Sequence, residues 1–174
     1  MFADPEKNLK LFDLREDMIV ADLGAGTGFY SMLLSEMLPR GKVYAVEIQR
    51  DFLMTIIDKI AEKKCTNIEC LWGDIEKHKG TKLADGILDA VVASNVLFLV
   101  ENKENFIKEI KRVLKPKGRV LLIDWSADSS LLHKEHSGGI PKHKALEMFK
   151  EHGFNLEKEI DTGIHHYGMI LTKK

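Results

Sequence analysis

Apolar runs of roughly five to eight residues alternate along the chain with stretches whose apolar positions recur every three or four residues, the pattern of strands and helices in turn. Met18 to Leu23 reads as a first strand, followed by Lys42 to Glu47, Asn67 to Trp72, Ile87 to Ala93 and Arg119 to Asp124. Between them the spacing predicts one helix with Phe29, Leu33 and Met37 on a face beside Met32, stopped by Pro39 and Gly41. A second rests on Leu53, Ile56, Ile57 and Ile60. A third carries the stripe Phe106, Ile107, Ile110, Val113 and Leu114 behind a candidate cap at Asn102, and the Pro116-Lys117-Gly118 turn is expected to end it. Pro141 opens another, with Ala145, Met148 and Phe149, which ends before Gly153. Residues 1–16 are read as a lead-in helix.

Alternation of this kind predicts an α/β fold with a mostly parallel sheet. The near-continuous Val120-Leu121-Leu122-Ile123 suits a central strand covered on both faces. Two last strands, Phe154 to Ile160 and His166 to Thr172, have only a short link between them. Such a link permits an antiparallel hairpin alone, because a parallel crossover needs about a dozen residues. The longest irregular segment, residues 126–140, is expected to be a functional loop on the acceptor side of the site.

The 174 residues, 44% hydrophobic and 30% charged, suit one ordered domain spanning 1–174. With 26 Lys and Arg against 27 Asp and Glu there is no global field to gather a polyanion, so nucleic acid is not expected as a partner. No basic, apolar leader opens the chain and no window approaches about 18 apolar residues, which points to a cytoplasmic protein without membrane insertion. Cys65 and Cys70 match neither a redox pair nor a zinc pattern and read as structural thiols.

The chemistry centres on Asp22-Leu23-Gly24-Ala25-Gly26-Thr27-Gly28, between a buried strand and a helix, where missing side chains let backbone N–H groups approach a ligand. The spacing is GxGxG, and Asp22 would stand where the pyrophosphate of a dinucleotide lies in a GxGxxG site. A carboxylate there favours a cationic ligand instead, such as the ammonium and sulfonium of S-adenosylmethionine. Glu47 closes the second strand, about 20 residues beyond the turn, where an acid accepts from a ribose diol in any adenosine cofactor. Asp74 follows the third strand, placed to accept from an adenine amine while Ile75 packs on the ring. Glu47→Ala and Gly26→Val are both expected to weaken cofactor binding.

Val20-Ala21-Asp22-Leu23-Gly24-Ala25-Gly26-Thr27-Gly28 resembles the first motif of class I S-adenosylmethionine-dependent methyltransferases. The likeness continues through Glu47, Gly73-Asp74-Ile75, Asp89-Ala90-Val91-Val92-Ala93-Ser94-Asn95 and Val113-Leu114-Lys115-Pro116-Lys117-Gly118-Arg119, covering about residues 5 to 125. It implies a Rossmann-like three-layer αβα sandwich whose seven-stranded sheet has the order 3-2-1-4-5-7-6 with an antiparallel last strand. It implies S-adenosyl-L-methionine as cofactor, S-adenosyl-L-homocysteine as product and methyl transfer to a small-molecule acceptor. The residues assigned to the cofactor are Asp22, Gly24, Ala25, Gly26, Thr27, Gly28, Glu47, Ile48, Asp74 and Ile75, with Asn95 on the methionyl side. Within the class the chain is similar to the methyltransferase-11 or ubiquinone-biosynthesis-like group, although Leu97 and Phe98 replace histidines often found there.

Asp89, at the opposite end of its strand, reads as structural. Ligands of parallel sheets bind at the carboxyl ends of strands, which brings Asp124, Trp125, His133 and His136, then Gly163, His165, His166 and Tyr167, to the acceptor side. Alternation sends His165 and Tyr167 to one face and His166 to the other. His133, His136, His165 and His166 are candidates for a pH-tunable base, although each taken singly reads first as a solvated or packed histidine. No carboxylate or cysteine joins them at a diagnostic spacing, so no metal is assigned. His143 and His152 read as surface residues, and Trp125 either stacks on an acceptor or packs at the rim. Competing readings are a non-catalytic S-adenosylmethionine-binding module and an NAD-dependent oxidoreductase, the latter lacking a Tyr-x-x-x-Lys pair. Self-association into a homo-oligomer stays open.

Overall fold

The structure, a computed structural model, describes residues 4–126 and 139–174. Strands β1 (Ile19–Leu23), β2 (Lys42–Glu47), β3 (Ile68–Trp72), β4 (Leu88–Ser94), β5 (Leu114–Trp125), β6 (Phe154–Ile160) and β7 (His166–Lys173) form one sheet in the order β3-β2-β1-β4-β5-β7-β6. The pairs from β3 through β5 are parallel, and β7 runs antiparallel to both β5 and β6. The final hairpin and the strand order both match expectation.

Helices α1 (Pro5–Phe12), α2 (Phe29–Met37) and α3 (Arg50–Lys63) cover one face, and α4 (Lys103–Val113) and α5 (Lys142–Glu151) the other. The α4 stripe is fully buried as expected, each large side chain contributing about 1.5–3 kcal/mol. Asn102 caps this helix, its side chain accepting from Asn105 N–H at 2.9 Å. Asp4 caps α1 by accepting from Lys7 N–H. The lead-in helix is thus shorter than residues 1–16.

Three local expectations are corrected. In α2 the buried side chains are Tyr30, Ser31, Met32, Leu34 and Ser35, whereas Phe29 is 61% exposed and Leu33 and Met37 half-buried. Two apolar stripes compete there, and the polar partners decide: Ser31 donates to Asp22, and Tyr30 accepts from Asn8. In α3 only Ile56 is fully buried and Ile57 lies exposed, because the helix covers the edge strand β3, itself only half-buried. Finally, Pro116-Lys117-Gly118 does not end α4. The helix stops at Val113, the strand begins at once, and the three residues sit inside β5, where pairing jumps from Leu88 with Leu114 to Ala90 with Arg119. Lys117 takes a left-handed φ of 63° there.

Asp89 is structural as read, accepting from Ile19 N–H at 2.8 Å and from Lys115 Nζ at 2.7 Å. Cys65 and Cys70 are free and half-buried beside the α2–α3 cluster. Among the described residues no helix is long and apolar enough to cross a membrane.

Candidate active site

The glycine turn leaves β1 and is tied to β2, with Gly24 and Ala25 N–H both donating to Val46 C=O. Its glycines all have positive φ, but for different reasons. A Cβ on Gly24 would lie 2.6 Å from Val96 Cγ2 and one on Gly28 2.8 Å from Ile56 Cγ1, so these positions admit protein neighbours. At Gly26 a Cβ would meet nothing within 4 Å. That space opens on a cavity of ≈ 540 Å³ at the carboxyl ends of the parallel strands.

The sequence-assigned residues converge on this cavity. Asp22, Gly24, Ala25, Gly26 and Thr27 line it from β1, Glu47 and Ile48 from β2, Asp74 and Ile75 from β3, and Asn95 from the end of β4. Gly28 does not line it; its role is to start α2 against Ile56. Lining residues not anticipated include Pro5, Phe29, Tyr30, Phe52 and Leu99. Exposed Phe29, Ile48, Phe52 and Leu99 make the rim apolar. Helical spacing alone places Phe29 in a core stripe; its position directly after Gly28 is the signal that it faces the cavity.

Each carboxylate is held in advance. Glu47, 5% exposed, accepts from Gly26 N–H through one oxygen and from Ile48 and Gln49 N–H through the other, all at 2.8 Å. A carboxylate has about four acceptor positions, so one remains. Asp22 accepts from the Ser31 hydroxyl at 2.6 Å. Burial pushes its carboxyl up to about 6, the Ser31 bonds partly offset this, and the Glu47 charge adds to it. Asp74 accepts from Glu76 N–H at 3.0 Å and pairs with Lys77 Nζ at 2.9 Å, which holds it below the usual carboxylate range. Asn95 is exposed, with φ at 55°, and its N–H donates to Ile123 C=O at 2.8 Å. Beyond the rim, Trp72 donates from Nε1 to Ile48 C=O at 2.9 Å and lies under the Arg50 guanidinium.

On the acceptor side His133 and His136 lie outside the described residues, as does most of the 126–140 loop. His165 is half-buried in the link before β7, and His166 opens that strand buried, 7% exposed. The His166 ring stacks on Trp125, with centroids 4.2 Å apart, so Trp125 has a protein partner. Burial pushes the imidazole below its ordinary value, and His165 acts the same way. Tyr167 faces the opposite cluster with Met169 and Leu171. Asp124, expected on the acceptor side, is fully buried and accepts from Phe98 N–H at 3.2 Å and Trp125 N–H at 2.7 Å. Burial raises its carboxyl to about 6. His143 is exposed and His152 half-buried, its Nδ1 2.7 Å from Met148 C=O. No group of three metal-ligating side chains occurs among the described residues.

A glycine turn opening on empty space, with acids at the ends of three adjacent strands, two of them buried and Asp74 half-buried, defines a nucleoside-binding α/β domain with an anionic pocket. A family model for the methyltransferase domain matches residues 14–164. The chain therefore belongs to the class I S-adenosylmethionine-dependent methyltransferase family. The ubiquinone/menaquinone biosynthesis C-methyltransferase UbiE of Pseudomonas paraeruginosa is 31% identical over 126 residues, 71% of this chain and 48% of that one. The arsenite methyltransferase of Aquipseudomonas alcaligenes is 30% identical over 150 residues, 78% of this chain and 43% of that one. This chain thus spans about half the length of the curated relatives it matches. A SAM-dependent methyltransferase from Aquifex aeolicus superposes with a TM-score of 0.82 at 28% identity, over 98% of this chain and 90% of that one.

Proposed function

We propose that this chain binds S-adenosylmethionine in the ≈ 540 Å³ cavity and transfers its methyl group to a small-molecule acceptor. The observation that carries the reading is Gly26, the one glycine of the turn whose missing side chain faces free space, set between Asp22 and Glu47. Cavity size supports it, since pockets for ligands of this class run about 300–1,000 Å³. Glu47 would take the ribose diol, Asp74 and Ile75 the adenine, and Asp22 with Asn95 the methionyl end, while Gly24, Ala25 and Thr27 supply close backbone. The sulfonium supplies an already activated methyl carbon. The protein's part is to align the acceptor and keep water out.

Related proteins are named for a quinone-pathway C-methylation, a malonyl carrier-protein O-methylation and arsenite methylation. Such different acceptors support treating the shared half as the donor's. Calorimetric titration tests the reading: S-adenosylmethionine binds and NADH does not. Gly26→Val weakens S-adenosylmethionine at least tenfold while the protein stays folded, less roughly 1–2 kcal/mol of left-handed backbone strain. Unchanged affinity in the folded variant removes the turn from the site. Mass spectrometry of S-adenosylhomocysteine release over an acceptor panel then identifies the substrate.

A further inference from the structure

Three buried side chains on one wall of the molecule carry polar atoms that have no partner among the described residues. Asn8 Oδ1, Thr162 Oγ1 and both ring nitrogens of His166 are unbonded, in residues that are 0%, 4% and 7% exposed. Folded proteins leave few such groups, because each costs about 1–3 kcal/mol. Several on one wall point to a ligand that satisfies them.

Strand parity places them together. Ile160 and Ile170 pack in the cluster beneath α1 and α2, so Gly168 and His166, which alternate with Tyr167 and Met169, face that side as well. A Cβ on Gly168 would lie 2.5 Å from both Ile160 Cγ1 and Thr162 Cγ2, which puts Thr162 on the same face. Trp125 pairs with His166 across β5 and β7 and stacks on its ring. Asn8, on α1, donates from Nδ2 to Tyr30 Oη at 3.2 Å. Tyr30 and Ser94 line the cavity, Ser94 being in register with Ala90 and Val92 of the same cluster. The wall therefore meets the cavity through these two side chains. Tyr167, whose hydroxyl is also unpartnered, faces the opposite cluster and is not part of it.

We infer that Asn8, Tyr30, Ser94, Trp125, Thr162 and His166 form the subsite for the methyl acceptor, and that this acceptor is a compact, uncharged, hydroxyl-bearing molecule. The inference rests on the methyl-transfer reading above. Asn8 Oδ1 only accepts, a neutral imidazole offers one N–H and one lone pair, and a threonine hydroxyl serves either way. A ligand that both donates and accepts, as a hydroxyl does, satisfies all three. An anion would meet the Asp22 and Glu47 carboxylates at the same edge, and Lys7 on α1 is already paired with Asp161 at 3.5 Å. Burial and the neighbouring His165 disfavour the charged form of His166, and the other five side chains carry no charge. Pro5, in the first turn of α1, lines the cavity together with Ser94 and Asn95 at the end of β4.

The test compares 1,2-propanediol with lactate, its carboxylate counterpart on the same skeleton, by amide NMR of the full chain saturated with S-adenosylhomocysteine. Propanediol shifts the Thr162 and His166 signals saturably and lactate does not. His166→Phe, which keeps a ring against Trp125, and Thr162→Val, which keeps the shape, each raise the propanediol Kd at least threefold and change S-adenosylhomocysteine affinity less than twofold. The subsite is overturned if propanediol leaves those signals unmoved, if lactate binds as well, or if both folded variants bind propanediol like the wild type. Silent propanediol with normal S-adenosylhomocysteine binding sinks this inference alone. A wild-type protein that does not bind S-adenosylhomocysteine sinks the donor reading and this one with it.

Discussion

The ends of β1, β2 and β3 stand on one edge of the sheet beside the ends of β4 and β5 and the start of β7, yet, Asp124 apart, the two sides treat polar side chains in opposite ways. On the first side Glu47 takes three backbone donors, Asp22 the Ser31 hydroxyl, and Asp74 an amide and Lys77. On the second, Asn8, Thr162 and His166 hold buried atoms with no partner. A group fixed before its ligand arrives needs little reorganisation, so the first side is preorganised for one shape. The second side is completed by whatever binds it. A scaffold divided in this way can keep one donor while its acceptor changes.

The comparison breaks most visibly at Glu47. Glu47→Ala removes the acceptor for Gly26, Ile48 and Gln49 N–H together with the carboxylate proposed to take the ribose. Isothermal titration should show S-adenosylmethionine binding at least 100-fold weaker, about 2.7 kcal/mol, consistent with charge-assisted bonds of about 1.5–3 kcal/mol each. Wild-type affinity would leave the first side without its anchor.

Asp22 sharpens the contrast by setting stability against binding. Its carboxyl is raised to about 6 by burial, above its ordinary 3.8, so the ionised form costs folding free energy. Stability linked to the neutral form is fully present below pH 3.8 and is lost as pH rises through about 6. Asp22→Asn is therefore expected to stabilise the protein at pH 7.5 by about 1–3 kcal/mol in urea melts, with the gain vanishing near pH 4. The same variant should bind the cationic donor about tenfold more weakly. Asp124, raised to about 6 as well, adds its own pH dependence to both proteins and cancels in the difference. Equal melts at pH 7.5 would show that Asp22 is not desolvated.

Lys77 gives the smallest effect. Its pair with Asp74 is exposed, with the lysine side chain at 77%, and such pairs contribute about 0–1 kcal/mol. Lys77→Ala should leave stability within that margin and raise donor affinity less than threefold by freeing Asp74 for an adenine amine. A loss of affinity would mean that Lys77 itself holds the ligand.

The first side was legible in the chain because its chemistry is local. A strand, a glycine turn and acids at successive strand ends are written in consecutive residues, and the structure brings all of them except Gly28 to one cavity. The final hairpin was legible for the same reason, since a short link admits one geometry. The second side depends on residues as far apart as Asn8 and His166, and an unpartnered atom is a property of packing that no local pattern announces. The burial of α2 was misread because two apolar stripes were available and the choice between them lay with Asp22 and Asn8, outside the helix. The early start of β5 was masked by Pro116 and Gly118, which mark a break in regular structure without saying which element they interrupt.

The chain has two tryptophans, and the sheet has given one to each side. Trp72 ends β3 beside Ile48 and under Arg50, largely in solvent, while Trp125 ends β5 against His166. Their emission therefore carries two separable optical channels, a red-shifted one from exposed Trp72 beside Ile48 and one from Trp125 against His166. Two single-tryptophan proteins would allow the order in which the partners arrive to be followed in time, without attaching any dye.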